Sequence, residues 1–199
     1  MAMQESKRAI AQMSQRRSDA QRNRAKVIEV AERIIARDGT HASLREIARE
    51  AGVGLGTLYR HFPKRDDLLQ EVLRSGFDDL AQMAGLLSAS EAPLEALQEW
   101  IDAFVAKTSA RQDLTASFVA KIRDPSSSLH ASCAKMRQSA KILLERAQAE
   151  GLIRADLEST ELLSLCASIA WLADQGHLSA RQRRRLLSLT MEGLRACPS

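Results

Sequence analysis

Residues 43–62 read SLREIAREAGVGLGTLYRHF, and this stretch carries the clearest structural signals in the chain. The SLRE segment at 43–46 has the pattern of a capping box. In such a box a serine hydroxyl and a glutamate side chain each satisfy a free backbone amide at a helix N-terminus. Gly52 falls where a tight turn needs a positive φ, which glycine adopts without steric cost. We therefore predict two short helices, over about 43–50 and 54–60, joined by a turn.

The apolar residues of this stretch indicate how the two helices pack. Ala48 is small enough to let the second helix approach closely. The larger apolar residues are predicted to hold both helices against the helix before them: Leu44, Ile47, Val53 and Leu58. The remaining side chains of the second helix then face outward. This arrangement is a helix-turn-helix, whose second helix enters the major groove of DNA and presents exposed residues to bases and phosphates.

Residues 39–69 resemble the DNA-binding domain of the TetR family of bacterial transcriptional regulators, and GTLYRHF at 56–62 resembles the recognition-helix signature of that family. With the preceding helix, the resemblance covers about residues 20–70. It implies that Thr57, Tyr59 and His61 face DNA, mostly at phosphates, and that Arg60 is a candidate for base readout. The chemistry agrees, because arginine can bind guanine O6 and N7 together and hydroxyl groups are common phosphate donors.

The chain departs from the family pattern at two places. Gly54 stands where many members have a serine cap, and glycine caps a helix less well than serine. Lys64 and Arg65 occupy the positions of a small polar residue and a phosphate-binding lysine, so which of the two binds phosphate stays open, with Arg65 favoured. The full set of expected DNA-binding residues is Arg45, Thr57, Tyr59, Arg60, His61, Lys64 and Arg65.

Outside this stretch the chain reads as a series of helices. The 199 residues contain only 4 Pro and 9 Gly, and strand-forming residues are scarce, which favours an all-α fold. We expect a flexible N-terminal arm at 1–18 that can extend the next helix, a helix-turn-helix DNA-binding domain at 19–65, and an effector-binding and dimerisation domain at 66–199. The predicted helices outside the motif cover about 19–37, 65–87, 92–108, 111–122, 126–151, 159–174 and 179–196.

Charge is unevenly distributed along the chain. Residues 1–65 hold 14 Lys and Arg against 7 Asp and Glu, a balance of +7, whereas residues 66–199 hold 15 against 18, a balance of −3. A basic end on a neutral-to-acidic body favours a polyanion partner such as double-stranded DNA. The alternative is a solvated basic surface without a partner.

Several function classes are disfavoured. The three cysteines lie far apart and form no Cys/His cluster, so we expect no metal, no cofactor and no disulfide framework, and the thiol usage suits a reducing cytoplasm. No nucleophile elbow, phosphate loop or paired-carboxylate motif points to an enzyme. The longest uncharged stretch of core type, 162–173, has 12 residues against the roughly 20 that span a bilayer. It is expected to be a buried helix and not a membrane anchor.

The second domain is expected to bind an effector and to dimerise. Apolar residues surround more than one face of the helix at 159–174 and lie on the last helix, which predicts a homodimer through residues 159–196. The resemblance then implies a repressor that binds a palindromic operator and is released by a small molecule. The alternatives are an effector-independent DNA-binding protein, a transcriptional activator, or a helical enzyme with a basic flank. The large apolar side chains of this domain either form its core or line an effector cavity: Trp100, Phe104, Phe118, Met136 and Trp171.

Overall fold

The computed structural model of the chain describes the backbone of residues 2–109, 112–176 and 178–196. Within these ranges the backbone forms ten α-helices and a short 3-10 helix at Gly39–His41, so the predicted all-α fold is confirmed. The helices are α1 (Ala2–Asp38), α2 (Leu44–Glu50), α3 (Leu55–His61), α4 (Arg65–Leu87), α5 (Pro93–Ser109), α6 (Gln112–Ser117), α7 (Val119–Arg123), α8 (Ser128–Ala149), α9 (Ser159–Asp174) and α10 (Ala180–Gly193).

The chain divides into two compact units, Met1–Val72 and Leu73–Ser199. Helix α4 begins in the first unit and continues into the second. The division therefore lies seven residues beyond the boundary expected between residues 65 and 66. The reason is that the first two turns of α4 bury Leu68, Leu69 and Val72 within the first unit.

The first unit is built around one face of α1. The predicted apolar stripe of this helix is buried almost completely: Val27, Ala31, Ile34 and Ile35. Gly39 ends α1 with a φ of +65°, in the left-handed conformation that glycine favours at a helix C-terminus. Residues 2–18 continue α1 toward its N-terminus, so the arm expected at 1–18 extends the next helix, as the sequence allows.

The second unit has a core made by α5, α8 and α9 together with parts of α4 and α10. Trp100 of α5 is fully buried, stacks on Phe104 at 5.5 Å between ring centroids, and donates from its indole Nε1 to the carbonyl oxygen of Leu80 at 2.9 Å. An ion pair between Lys107 and Asp79, 2.7 Å long, also joins α5 to α4. These contacts hold the second half of α4 against α5.

The helix predicted over 111–122 is two short helices in the structure. Phe118 separates α6 from α7, and its backbone φ and ψ of −111° and 11° are not helical. Its amide donates to the carbonyl oxygen of Thr115, and its side chain is buried. The chain therefore leaves the helical path at a residue whose ring turns into the core. No helix in the described part of the chain is long and apolar enough to cross a membrane.

Candidate functional site

Helices α2 and α3 are joined by the predicted tight turn. The Ser43 hydroxyl accepts from the amide of Glu46 at 3.4 Å, which confirms one half of the capping box. The Glu46 carboxylate, which the pattern directs to the Ser43 amide, accepts instead from Arg37 Nη2 at 3.0 Å. Gly52 has a φ of +68°, as its place in the turn predicts. The turn closes with a hydrogen bond from the Val53 amide to the carbonyl oxygen of Ala48.

Helix α3 has one buried and one exposed side. Leu58 is completely buried, and Phe62, just after the helix, is almost so. On the other side Arg60 is exposed and 45% of Tyr59 is accessible, while Thr57 and His61 are half-buried. The structure thus brings four of the predicted DNA-facing residues onto one short helix that is held by its apolar side.

The side chain of Arg60 lies along its own helix. Its Nε donates to the carbonyl oxygen of Gly56 at 3.3 Å, and its Nη2 donates to the hydroxyl of Thr57 at 3.5 Å. Both contacts are exposed and long, so water can replace them at little cost in free energy. The guanidinium can therefore exchange these partners for acceptors on a nucleic acid.

The other predicted phosphate-binding cations lie at the ends of α2 and α4. Arg45 is exposed near the N-terminus of α2. Lys64 is exposed just before α4, where its amide donates to the Asp67 carboxylate at 2.9 Å and so caps the helix. Arg65 is half-buried and already contacts a neighbouring group. Lys64 is thus the more accessible of the two cations between which the sequence leaves the choice open.

The cations of the first unit fall into two groups. Arg24 pairs with Glu71 at 2.9 Å and Arg33 with Glu50 at 2.7 Å. Arg37 donates hydrogen bonds to the carboxylates of Asp38 and Glu46, and these bonds raise its pKa above the ordinary value. These arginines join helices to each other or neutralise nearby acids.

The second group includes the predicted DNA-binding residues Arg45, Arg60 and Lys64; Lys26 of α1 is likewise exposed and outside ion-pair distance of any described carboxylate. Among the residues that the structure describes, no carboxylate lies within ion-pair distance of any of the three. All three are exposed, so their positive charge is available to a partner. Uncompensated cations and half-exposed hydroxyl groups are suited to phosphate binding.

A cavity of about 310 Å³ lies within the second unit. Phe77 of α4, Phe104 of α5 and Met136 of α8 form part of its apolar lining. Two of the five aromatic and methionine residues singled out in the sequence, Phe104 and Met136, therefore meet at this cavity. Trp100 lies behind Phe104 in the core, so it does not face the cavity.

The remaining two predicted residues lie elsewhere. Phe118 is buried at the junction of α6 and α7, with the Lys121 ammonium 5.3 Å from its ring centroid, and is not among the described residues of the lining. Trp171 is 51% exposed on the outer side of α9. Size and hydrophobicity make Phe118 and Trp171 candidates for a cavity lining, but these properties do not indicate the direction in which a side chain points.

Sequence reasoning missed several lining residues of the cavity, of which Arg137 is the most polar. Arg137 follows Met136 and lies one helical turn after Cys133, so its position at the edge of the apolar face of α8 was the available signal. Burial raises the pKa of the Cys133 thiol, and the positive charge of Arg137 lowers it by a smaller amount. Cys133 therefore acts as an uncharged wall of the cavity.

The predicted dimerisation helices have both buried and exposed apolar residues. Leu162, Cys166 and Ile169 of α9 belong to the core of their own subunit. Burial raises the pKa of the Cys166 thiol to about 12. The apolar residues that stay accessible on α9 and α10 are Leu165, Trp171 and Leu189. These three residues, which we call the outer apolar face, are available for a protein partner.

The fold and this site define a helical transcriptional regulator with an N-terminal helix-turn-helix. Residues 27–72 match the family described as bacterial regulatory proteins, tetR family, and end at the same residue as the first unit. Residues 92–196, more than half of the chain, match the family described as transcriptional regulator SbtR-like, C-terminal domain. The chain belongs to the TetR family of bacterial transcriptional regulators, as its resemblance at residues 39–69 predicts.

Solved structures and curated relatives agree with this assignment. The chain is 32% identical to a TetR transcriptional regulator from Streptomyces coelicolor, with 88% of this chain and 99% of that chain covered and a TM-score of 0.72. It is also 32% identical to a TetR transcription regulatory protein from Mycobacterium vanbaalenii, with 90% and 99% covered and a TM-score of 0.70. A helix-turn-helix regulator of Staphylococcus aureus strain USA300 is 40% identical over 63 residues, which are 31% of this chain and 34% of that protein. The match to this curated relative thus spans about a third of its length.

Proposed function

We propose that this regulator is a repressor that binds a palindromic operator as a homodimer and is released by a small molecule bound in the cavity of the second unit. The observation that carries the proposal is the division of the cations in the first unit. Arginines that hold the helices together are paired with acids, whereas Arg45, Arg60 and Lys64 have no carboxylate partner among the described residues.

DNA binding is supported by the chemistry of α3. The hydroxyls of Thr57 and Tyr59 and the cations at the ends of α2 and α4 are donors for phosphate oxygens, which set the register of the protein on the duplex. Arg60 reaches a base edge in the major groove after it leaves the carbonyl of Gly56, and a guanine is the preferred partner. His61 lies one turn after Thr57 and contacts the same backbone.

The homodimer is supported by the outer apolar face. Leu165 and Trp171 lie six residues apart on α9, which places them about 120° apart around the helix, and Leu189 lies on α10, a helix that packs against α9. Two copies of such a surface related by a two-fold axis bury each other. The two recognition helices then read inverted half-sites about 34–36 Å apart, the spacing of successive major grooves.

Release by an effector is supported by the helices that line the cavity. Phe77 belongs to α4, the helix that also supplies residues 65–72 of the first unit. Thr160 and Ser164 of α9 line both this cavity and an open groove beside Leu165 on the outer side of the helix. A ligand that favours one arrangement of α4 and α9 over another shifts the population of dimers that fit the operator.

The test is DNA binding as a function of salt, followed by identification of the bound operator in genomic DNA. Each phosphate contact contributes about −0.9 to the slope of log K against log salt on B-DNA, so several contacts per subunit give a steep decline. A flat dependence would contradict DNA binding. Transcription from the identified operator distinguishes repression from activation. Because the target is chromosomal DNA, we place the protein in the cytoplasm.

A further inference from the structure

The residues that line the cavity of the second unit differ in polarity between its buried and its exposed parts. Its buried walls are apolar and include Phe104 and Met136, whereas its exposed lining residues are Arg137, Thr160 and Ser164. Arg137 is the one charged residue among the described residues of the lining. A ligand in this cavity therefore meets an apolar interior and a cation at the exposed end.

The hydroxyl groups near this end are already used within α9. The Ser164 hydroxyl donates to the carbonyl oxygen of Thr160 at 2.7 Å, and the Thr160 hydroxyl lies 3.3 Å from the Glu158 carboxylate. Arg137 differs from them, because no carboxylate lies within ion-pair distance of it in the described part of the chain. Its guanidinium offers five N–H donors in a plane, a geometry that matches a carboxylate.

A second cavity of the same unit shows what a charge-balanced site looks like. It measures about 260 Å³, and its lining holds Asp102 and Glu192 as well as Arg184 and Arg195. The two acids and two bases there give that lining no net formal charge. The cavity at Arg137 has no acid among its described lining residues, and its positive charge remains for a ligand to neutralise.

We propose that the cavity at Arg137 binds a small amphipathic organic anion, with its carboxylate on the guanidinium of Arg137 and its apolar part against Phe77, Phe104 and Met136. This inference rests on the proposed function, since the cavity is the one that we assign to the effector. The volume of about 310 Å³ is at the low end of the range of roughly 300–1,000 Å³ for small-molecule pockets, so the ligand is small.

The test is isothermal titration calorimetry of the full-length protein with three probes that share one apolar chain: octanoate, octanol and octylamine. We expect octanoate to bind most tightly. Arg137→Gln weakens octanoate binding about tenfold, because a charge-assisted pair is lost, and leaves octanol binding unchanged. Lys135→Gln is the matched control, since Lys135 is an exposed cation of the same helix that is not among the described lining residues, and it changes neither affinity.

A third variant tests whether the ligand binds in this cavity. Ala167 is a small lining residue, so Ala167→Phe fills the space and abolishes binding of octanoate and octanol alike. Circular dichroism confirms that the variant is folded. If Ala167→Phe is folded and still binds octanoate as the wild type does, the ligand lies elsewhere and the proposal is overturned.

Three further results would also overturn the anion assignment: equal affinity of the wild type for octanoate and octanol, an equal loss of both in Arg137→Gln, or no octanoate binding at millimolar concentration. DNA binding of the same samples is measured by fluorescence anisotropy. If DNA binding is retained while the preference for the acid fails, the ligand class is wrong and the regulator function stands. If DNA binding is missing while octanoate binds through Arg137, the proposed function fails and the ligand class stands.

Discussion

Helices α3 and α9 both bury one side in their own unit and expose the other, yet their exposed sides differ in chemistry. The outer side of α3 carries Tyr59 and Arg60 and a half-exposed Thr57. The outer side of α9 carries Leu165 and Trp171, separated by small serines. Hydroxyls and unpaired cations are well hydrated, and they exchange their bound water for phosphate oxygens or base edges. Apolar side chains gain free energy only when a complementary apolar surface covers them.

This difference shows how one chain separates two kinds of binding. Binding of DNA through donors and cations is reversible and depends on salt, which suits the proposed release of the regulator from DNA. Association through an apolar surface depends little on salt, so the proposed dimer is expected to persist while DNA binding changes. Substitutions on the two helices are therefore expected to have different effects.

The largest effect on operator affinity is expected from a substitution on the outer side of α9. Leu165→Glu places two carboxylates in a two-fold apolar contact, each at a desolvation cost of several kcal/mol, so the dimer dissociates and operator affinity is lost. Sedimentation measures the oligomeric state, and circular dichroism confirms that helicity is kept. Ile142→Glu on α8 is the matched control, because Ile142 is 43% exposed and Leu165 is 44% exposed. A Leu165→Glu protein that stays dimeric would place the interface elsewhere.

The next effect is expected on the outer side of α3. Arg60→Ala weakens binding to the operator by about 1–3 kcal/mol if its contact with guanine is bidentate, and it weakens binding to random DNA by less. Competition binding with operator and random duplexes measures both losses. Arg33→Ala serves as the control, since Arg33 is paired with Glu50 and is not expected to touch DNA. Equal losses on both duplexes for Arg60→Ala would assign Arg60 to phosphate.

A third effect concerns the turn that positions α3. Gly52→Ala destabilises the protein by about 1–2 kcal/mol, because a residue with a Cβ is strained at a φ of +68°. Denaturant unfolding measures the change. Gly56→Ala is the contrasting variant: Gly56 is helical and a Cβ there meets nothing within 4 Å, so we expect a gain of up to about 1 kcal/mol. A neutral Gly52→Ala would mean that the turn relaxes to another conformation.

The smallest effect is expected from a single hydroxyl. Tyr59→Phe keeps the half-buried ring and removes one phosphate donor, so binding to operator and random DNA weakens equally, by about 0.5–1.5 kcal/mol. Anisotropy titrations at one fixed salt concentration detect the change. A loss confined to the operator would show instead that Tyr59 contacts a base.

Much of the first unit could be predicted from the sequence, because its signals are local. The serine cap at 43, the glycine at 52 and the apolar stripe of α1 each act within one or two helical turns. The Glu46 side chain is the exception. Its carboxylate accepts from Arg37 and not from the amide of Ser43, because α1 lies beside α2, and no local pattern specifies that packing.

The second unit is harder to predict, because its structure depends more on how distant helices pack against each other. The 12-residue uncharged stretch predicts a buried helix, whereas α9 buries only one side. The stretch does not separate Leu162, which belongs to the core, from Leu165, which is exposed. Likewise, five large apolar residues were equal candidates for a cavity wall. Only Phe104 and Met136 lie at the cavity described in the structure.

The helix-turn-helix, its outward residues and the all-α class are predictable from the amino-acid sequence alone, since each follows from short-range backbone preferences and helical periodicity. Three features depend on long-range packing instead: which cations are neutralised, which side of α9 is exposed, and the meeting of Phe77, Phe104 and Arg137 around one cavity. Helical periodicity predicts which residues of a helix become buried on folding. It does not specify which distant helix they pack against, because that choice depends on the complementary shapes of surfaces far apart in the chain.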